Sequence, residues 1–513
     1  LCLNEVRLRT RRIGTLIAMM LMAGMVWLII ADPATGRSMM VANGARVLYT
    51  SSAMAIASAG FISALLAFIA FYLVRGRVVE DLRSGIGSVI ASTPVSNSLF
   101  LMSRWLGGVI YVMTLVFSAM LATIVLQALR GEGPIQVWVY LHTYLAVFFP
   151  TAVFVVSMAT LFDSVPVLMG KFGDLLYFII WTFAVGLIAK AVELSAGQIS
   201  AWALLDFTGV VSTVITVRSN VLTNNFSMGS TPFNASIAAY TLPVMLWSGK
   251  LIGLRVITTL LSLLPLLLAI PLFHRYSPDK VKATHSRKRR SPLTMLNEWT
   301  RPLAKLVQPL FFIASKSPGL LGQVLSEIAL CLVNAPFVLL VLLGVNVAAF
   351  ALPYSGMHGL MLLGVVFWGV LISDMSTRDF QAGIESMTGV AKGGAAWRYL
   401  RHLLAAMVLG VLFVAVVLVK LGMHAPLLAA AFAMGLISVS SLASFFGLST
   451  RTSRTFLSAY LFWVYVATQV PKAPQLDALG FNGVANMESI LLQGQIGLVA
   501  LVLGWFYNLY KAR

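Results

Sequence analysis

Charge is scarce in this chain. Only 10% of its 513 residues are charged, while 59% are hydrophobic. That balance excludes a soluble globular domain, which ordinarily carries about a quarter charged residues. Cysteine is scarcer still, with Cys2 and Cys331 the only two. One lies in the N-terminal leader and the other at the start of an apolar run, so no disulfide or metal framework is expected. A nucleotide-binding G-x-x-x-x-G-K-[ST] loop is missing, so ATP phosphates have no usual cradle here. The stretch GVAKGGA at 389–395 is glycine-rich but lacks the spacing. H-E-x-x-H, C-x-x-C and G-x-S-x-G are missing too, which leaves catalytic chemistry without support. The chain is read as a non-enzyme that binds no cofactor of its own.

What the sequence has in abundance is long apolar runs. A bilayer core about 30 Å thick needs roughly 20 apolar residues per helical crossing. Backbone groups in lipid must pair internally, so crossings are helices or a closed barrel. These runs are continuous rather than alternating, which excludes a barrel. They fall near 13–31, 52–74, 105–128, 136–160, 173–193 and 251–273. A second set falls near 329–351, 356–373, 403–421, 425–448, 455–471 and 488–508. The expectation is an all-α polytopic membrane protein of about twelve crossings. A basic leader before an apolar run could be a signal peptide, but residues 13–31 are too long for that, so an uncleaved signal-anchor is expected.

Lys and Arg number 36 against 17 Asp and Glu, a net charge of +19. In a soluble protein this would suggest nucleic acid. Here the cations gather in alternate loops, as the positive-inside rule requires, and no nucleic-acid partner is expected. Arg7, Arg9, Arg11 and Arg12 precede the first run. Arg75, Arg77 and Arg83 follow the second, Arg378, Lys392, Arg398 and Arg401 the eighth, and Arg451 and Arg454 the tenth. With twelve crossings all of these lie on one side, with both termini cytoplasmic. HRYSPDKVKATHSRKRRSP at 274–292 is read as a cytoplasmic linker fixing topology, with a phospholipid-binding patch as the other reading. The boundaries drawn are 1–275 for a first six-span block, 276–315 for the linker and 316–513 for a second block. The external segment 194–250 is read as interfacial helices plus loop, not a folded domain. Asp174, Lys190 and Glu193 flank the fifth run, where snorkelling is cheap, and are not expected to form a proton relay.

One charged segment interrupts the pattern: VVEDLRSGIGSVIASTPVSNSLFLMSRWLGG, 78–108. Val78, Leu82, Ile86, Val89 and Thr93 step by four, four, three and four, giving an apolar stripe on one amphipathic helix. Pro94 closes that helix, because the residue before proline is pushed away from helical geometry. Such segments often simply lie on lipid. This one, however, has an echo 298 residues downstream, STRDFQAGIESMTGVAKGGAAWRYLRHLLAA. Asp81 aligns with Asp379, Gly85 with Gly383, Ile86 with Ile384, Ser88 with Ser386 and Val89 with Met387. Glu5 and Glu327 precede the first run of each block. The reading is an internal duplication, two parallel six-helix repeats, each with a cytoplasmic amphipathic helix between its second and third spans.

The segment resembles the signature of type-2 ATP-binding-cassette (ABC) exporter permeases. Asp81, Gly85, Pro94, Val95 and Ser96 fit its pattern, with Arg104 in the lysine place and Ser103 for the usual glycine. The second copy departs, with Lys392 where proline is expected and His402 where the basic residue is expected. The resemblance implies a permease of the bacterial inner membrane whose substrate pathway lies between its halves. It implies two copies of a separate cytoplasmic ABC ATPase, which would hold the ATP and Mg. Further periplasmic or membrane subunits are left open. Glu80, Asp81, Arg83, Gly85, Ser88 and Pro94, with Asp379, Gly383 and Glu385, are the implied contacts of two coupling helices. Gly85 and Gly87 would allow close backbone approach. Glu5, Ser96, Arg104 and Glu327 are motif positions. The cargo, whether lipid, peptide or drug-like, is not specified. The alternative is a secondary transporter of the major-facilitator type. Its loop between spans two and three is short, whereas this one runs about thirty residues.

Overall fold

The computed structural model describes residues 2–11, 13–195, 201–221, 226–273, 292–390 and 394–512. The basic segment 274–291, including most of the stretch read as a linker, lies outside them, as do Lys392 and residues 196–200. The chain divides into two compact units, Leu1–Arg289 and Arg290–Arg513.

Apolar runs with no water to satisfy their backbone become helices, and nearly all of the regular structure is helical. In the first unit these are α1 (Cys2–Thr10), α2 (Ile13–Ile29), α3 (Ser51–Val74), α4 (Arg77–Arg83), α5 (Ile86–Ala91), α6 (Asn97–Arg130), α7 (Val137–Ser164), α8 (Lys171–Ser195), α9 (Val210–Val221), α10 (Gly249–Leu261) and α11 (Leu264–Leu272). The second unit has α12 (Pro292–Trp299), α13 (Gln308–Lys316), α14 (Gly319–Asn334), α15 (Pro336–Ala351), α16 (Met357–Ile372), α17 (Arg378–Gln381), α18 (Glu385–Val390), α19 (Gly394–Phe413), α20 (Ala415–His424), α21 (Pro426–Thr450), α22 (Ser453–Gln469) and α23 (Met487–Ala512). Among the described residues, eight helices are long and apolar enough to cross a membrane, or nine with α14 and α15 counted as one bent crossing. This is the architecture of a multi-pass helical membrane protein, with fewer qualifying crossings than the twelve apolar runs suggest. The shortfall has local causes. Helix α2 has only 17 residues, and the run 403–421 is cut at Val414. The run 329–351 bends by 101° at Ala335, because Pro336 denies the preceding residue a helical conformation.

In the first unit α3 is the axis, buried along most of its length. Phe71 and Tyr177 stack at 3.5 Å, and the Tyr177 hydroxyl donates to the Ala67 carbonyl at 2.6 Å. Pro150 inside α7 has no N–H for the carbonyl of Ala146. Arg255 of α10 supplies the missing donor, with Nε to Ala146 O at 2.9 Å and Nη2 to Val147 O at 2.9 Å. Its charge faces Asp206, whose carboxylate accepts from the amides of Gly209 and Ser212 at 2.9 and 2.8 Å.

The segment 194–250 holds more order than its sequence suggested. Strand β3 (Phe226–Pro232) pairs antiparallel with β1 (Arg37–Ala42), which also pairs with the short β2 (Ala45–Arg46), in the order β2-β1-β3. The loop after the first run thus closes a small sheet with a strand nearly 190 residues on. Alternation was masked because β1, RSMMVA, is buried at five of its six positions.

The second unit repairs its helix breaks with polar side chains. Asn346 donates to the Leu412 carbonyl at 2.9 Å and accepts from the Val416 amide at 3.0 Å, bridging the cut between α19 and α20. Lys420 caps the end of α15 through the carbonyls of Ala349 and Leu352 at 2.5 and 3.0 Å. Trp368 is wholly buried and donates to the Ala406 carbonyl at 2.8 Å.

Candidate functional site

The charged segment at 77–96 is an elbow, not one helix. Helices α4 and α5 meet at Gly85, whose φ of +73° is left-handed. Such a residue must be glycine unless strain of about 1–2 kcal/mol is accepted. A methyl group there would meet nothing within 4 Å of this chain, so within the chain it is conformation, not packing, that calls for Gly85. The break splits the expected stripe. Val78 and Leu82 turn inward against Phe100, Leu101 and Phe273. Ile86 and Val89 turn outward, and Val89 is 64% exposed. Pro94 stands after the end of α5, and Ser96 caps α6 by accepting from the Leu99 amide at 3.3 Å.

The second unit has its own elbow, between α17 and α18. Gly383 has φ +71°, again with open space where a side chain would go. Ile384, Met387 and Val390 face outward, and Met387 is 73% exposed. The positions that align in sequence, Gly85 with Gly383, Ile86 with Ile384 and Val89 with Met387, occupy the same places in their elbows.

Charged residues clamp each elbow. In the first unit Glu5 of α1 accepts from Arg9 at 2.9 Å and from Arg77 at 3.0 Å, and Arg77 also reaches Glu80 at 2.7 Å. Asp81 pairs with Arg104 of α6. In the second unit Glu327 of α14 pairs with Arg378 at 3.3 Å, and Asp379 with Arg401 at 3.1 Å. Arg401 also approaches Glu327 at 3.5 Å. The order Glu, Arg, Asp, Arg therefore occurs twice: Glu5, Arg77, Asp81, Arg104, then Glu327, Arg378, Asp379, Arg401. Burial alone would raise the Glu5 carboxyl, but the guanidiniums of Arg9, Arg77 and Arg104 outweigh it and hold it below the usual carboxylate range.

This geometry revises several sequence expectations. Asp81 is 5% exposed and faces inward to Arg104, so it holds the elbow rather than offering charge to a partner. Glu80 is exposed but engaged by Arg77. Ser88 turns its hydroxyl back to the Gly85 carbonyl at 2.7 Å. The Arg83 side chain lies outside what is described. Glu385 sits between Arg398 and Arg451, 3.7 Å from each. The basic residue that answers Arg104 is Arg401, one position before His402. His402 is buried, with Nε2 3.1 Å from Arg401 and Nδ1 without a partner. Asp174 does not snorkel: it is buried and paired with Arg75. Arg75 also lies 3.7 Å from Asp163, whose carboxylate accepts from the Gly76 amide at 2.8 Å and ties the start of the elbow to α7.

Sequence reading placed Arg75, Arg77, Arg378 and Arg401 as topology-setting cations only. Two of their partners stand at helical spacing in the sequence, Glu80 three residues after Arg77 and Asp374 four before Arg378, whereas Glu5, Glu327 and Asp174 are brought in from other helices. Cys331 is buried, with Arg378 Nη1 3.0 Å from its sulfur. Among the described residues no three His, Cys, Asp or Glu side chains cluster as metal ligands. The site consists of two glycine-kinked elbows, each clamped inward by charge and carrying an outward apolar step. Set against known proteins, the chain matches no protein-family model, no curated protein and no solved structure.

Proposed function

We propose that this chain is the membrane-spanning permease subunit of an ATP-driven exporter, of the type-2 ABC kind its sequence resembles. The two elbows are the sites where separate ATPase subunits dock. The observation that carries this reading is the pair of elbows. Each is kinked at a left-handed glycine and bolted by the same order of charges to a helix at the start of its block, α1 or α14, and to the third crossing. Each exposes apolar side chains at matching positions. A lever must be stiff to transmit motion, and a buried carboxylate–guanidinium pair resists bending more than an exposed one. In this reading helices outside the qualifying eight, among them α2, α8, α20 and α22, contribute to the remaining crossings of two six-span repeats in an inner membrane.

The test is purification of the chain in mild detergent from native membranes. The expected result is a stoichiometric ATP-hydrolysing subunit, lost when Val89 and Met387 are both replaced by Glu. A chain that purifies alone and moves solute down an ion gradient overturns the proposal in favour of a secondary transporter.

A further inference from the structure

We propose that residues 292–316, the ordered stretch before the second unit's first crossing, form an interfacial bracket that binds anionic phospholipid. The stretch runs through α12, a 3-10 turn at Arg301–Val307 and α13. Its inner side is anchored. Val307 is buried, and Leu303, Leu310 and Phe311 pack on the second unit's core. Asn297 accepts from the Phe337 amide at 3.3 Å, at the first turn of α15. The outer side should then be polar, but it is not. Trp299 is 78% exposed and Leu306 65%, with Met295, Phe312 and Ile313 also exposed.

Cations are interleaved with these apolar groups. Arg301 and Lys305 are exposed beside Trp299 and Leu306, and the Lys316 ammonium lies 4.1 Å from the centre of the Phe312 ring. A face combining tryptophan, large aliphatic groups and Lys or Arg suits the headgroup boundary of a bilayer, where apolar bodies sink and cations stay with phosphates. The bracket leads within three residues into the bent α14–α15 segment, so it starts at membrane level. The cations choose the lipid: each favours an anionic surface by about five-fold in affinity. A zwitterionic surface provides no such gain. This inference needs only a membrane protein and is separable from the transport proposal.

The test uses the full chain with Cys2→Ser and Leu306→Cys, carrying a small fluorophore at position 306. It is reconstituted in nanodiscs of phosphatidylcholine alone or mixed with phosphatidylglycerol. Quenching by lipids brominated near the headgroup, with little quenching by aqueous iodide, is expected. Phosphatidylglycerol retained on purification should exceed phosphatidylcholine, and the excess should fall about five-fold per cation reversed in R301E, K305E and K316E. The exposed Lys472, reversed as a control, should leave it unchanged. Free quenching by iodide would overturn the proposal, as would protection from both quenchers, which means a protein covers the face. Equal retention of the two lipids by the unaltered chain would overturn the anionic preference.

Discussion

Asp81 and Asp379 hold equivalent places in their elbows, yet removing their charge should have unequal consequences. Arg104 pairs with Asp81, lies over the Phe100 ring at 4.7 Å and also acts on the Glu5 carboxylate, though Asp81 is the carboxylate it contacts directly. Arg401 lies between two carboxylates, Asp379 at 3.1 Å and Glu327 at 3.5 Å. Two unit charges 4 Å apart interact by about 4 kcal/mol at an effective dielectric of 20. Breaking a buried pair by removing one partner costs about 3–5 kcal/mol. Asp81→Asn should fall in that range. Asp379→Asn leaves Arg401 with Glu327 and should cost about 1–2 kcal/mol, near the loss of one charged hydrogen bond. For units of this size 1 kcal/mol moves Tm by about 2–4 °C. Thermal unfolding in detergent should therefore drop by roughly 10 °C for Asp81→Asn and by only a few degrees for Asp379→Asn. The double variant Asp81→Asn, Arg104→Met should recover part of the loss, because the guanidinium is then removed together with the carboxylate it pairs with. Equal losses at the two aspartates, or a double variant no better than the sum of the singles, would refute the clamp argument.

Gly85→Ala and Gly383→Ala should each cost about 1–2 kcal/mol through backbone strain alone. Gly369→Ala, whose new methyl would collide with the Tyr460 ring, should cost more by the same melting assay. Arg255→Met should cost about 3–5 kcal/mol by stranding Asp206 and the Ala146 carbonyl. Adding Pro150→Ala should return about 1 kcal/mol, since alanine restores an N–H for that carbonyl, and a double-mutant cycle measures it. Glu5 has a carboxyl held below its unfolded value, so its contribution is complete above the ordinary carboxylate range. That contribution disappears as pH falls through the lower folded value. Melting followed against pH should show this acid-side loss, and Glu5→Gln should flatten it.

Much of this was legible in the sequence. Every apolar run became helix, because backbone in hydrocarbon has few other options. The pairings of Gly85 with Gly383 and of Val89 with Met387 were read from residue identity and spacing, and the elbows place them alike. What could not be read was direction. A period near 3.6 aligned Val78, Leu82, Ile86 and Val89 on one stripe, but a single left-handed residue at Gly85 rotates the second half of that stripe outward. Likewise Asp81 reads as a surface charge until Arg104, 23 residues on, is brought against it. The β1–β3 pairing was invisible because its strands are separated by some 190 residues and β1 is buried on both faces. Fewer helices among the described residues qualify as crossings than there are apolar runs, because hydropathy registers composition, whereas Pro336 and Val414 interrupt the helices that composition promised.

The most direct test of the docking elbows is thiol accessibility at Val89→Cys and Met387→Cys, in a Cys2→Ser background, in native membranes. The account predicts that both thiols are shielded from a water-soluble maleimide while peripheral proteins are bound. Both should become reactive after those proteins are stripped, with an ATP-binding polypeptide among the material released. Thiols that react equally before and after stripping would contradict the account, and so would thiols still shielded when the purified chain is placed alone in liposomes.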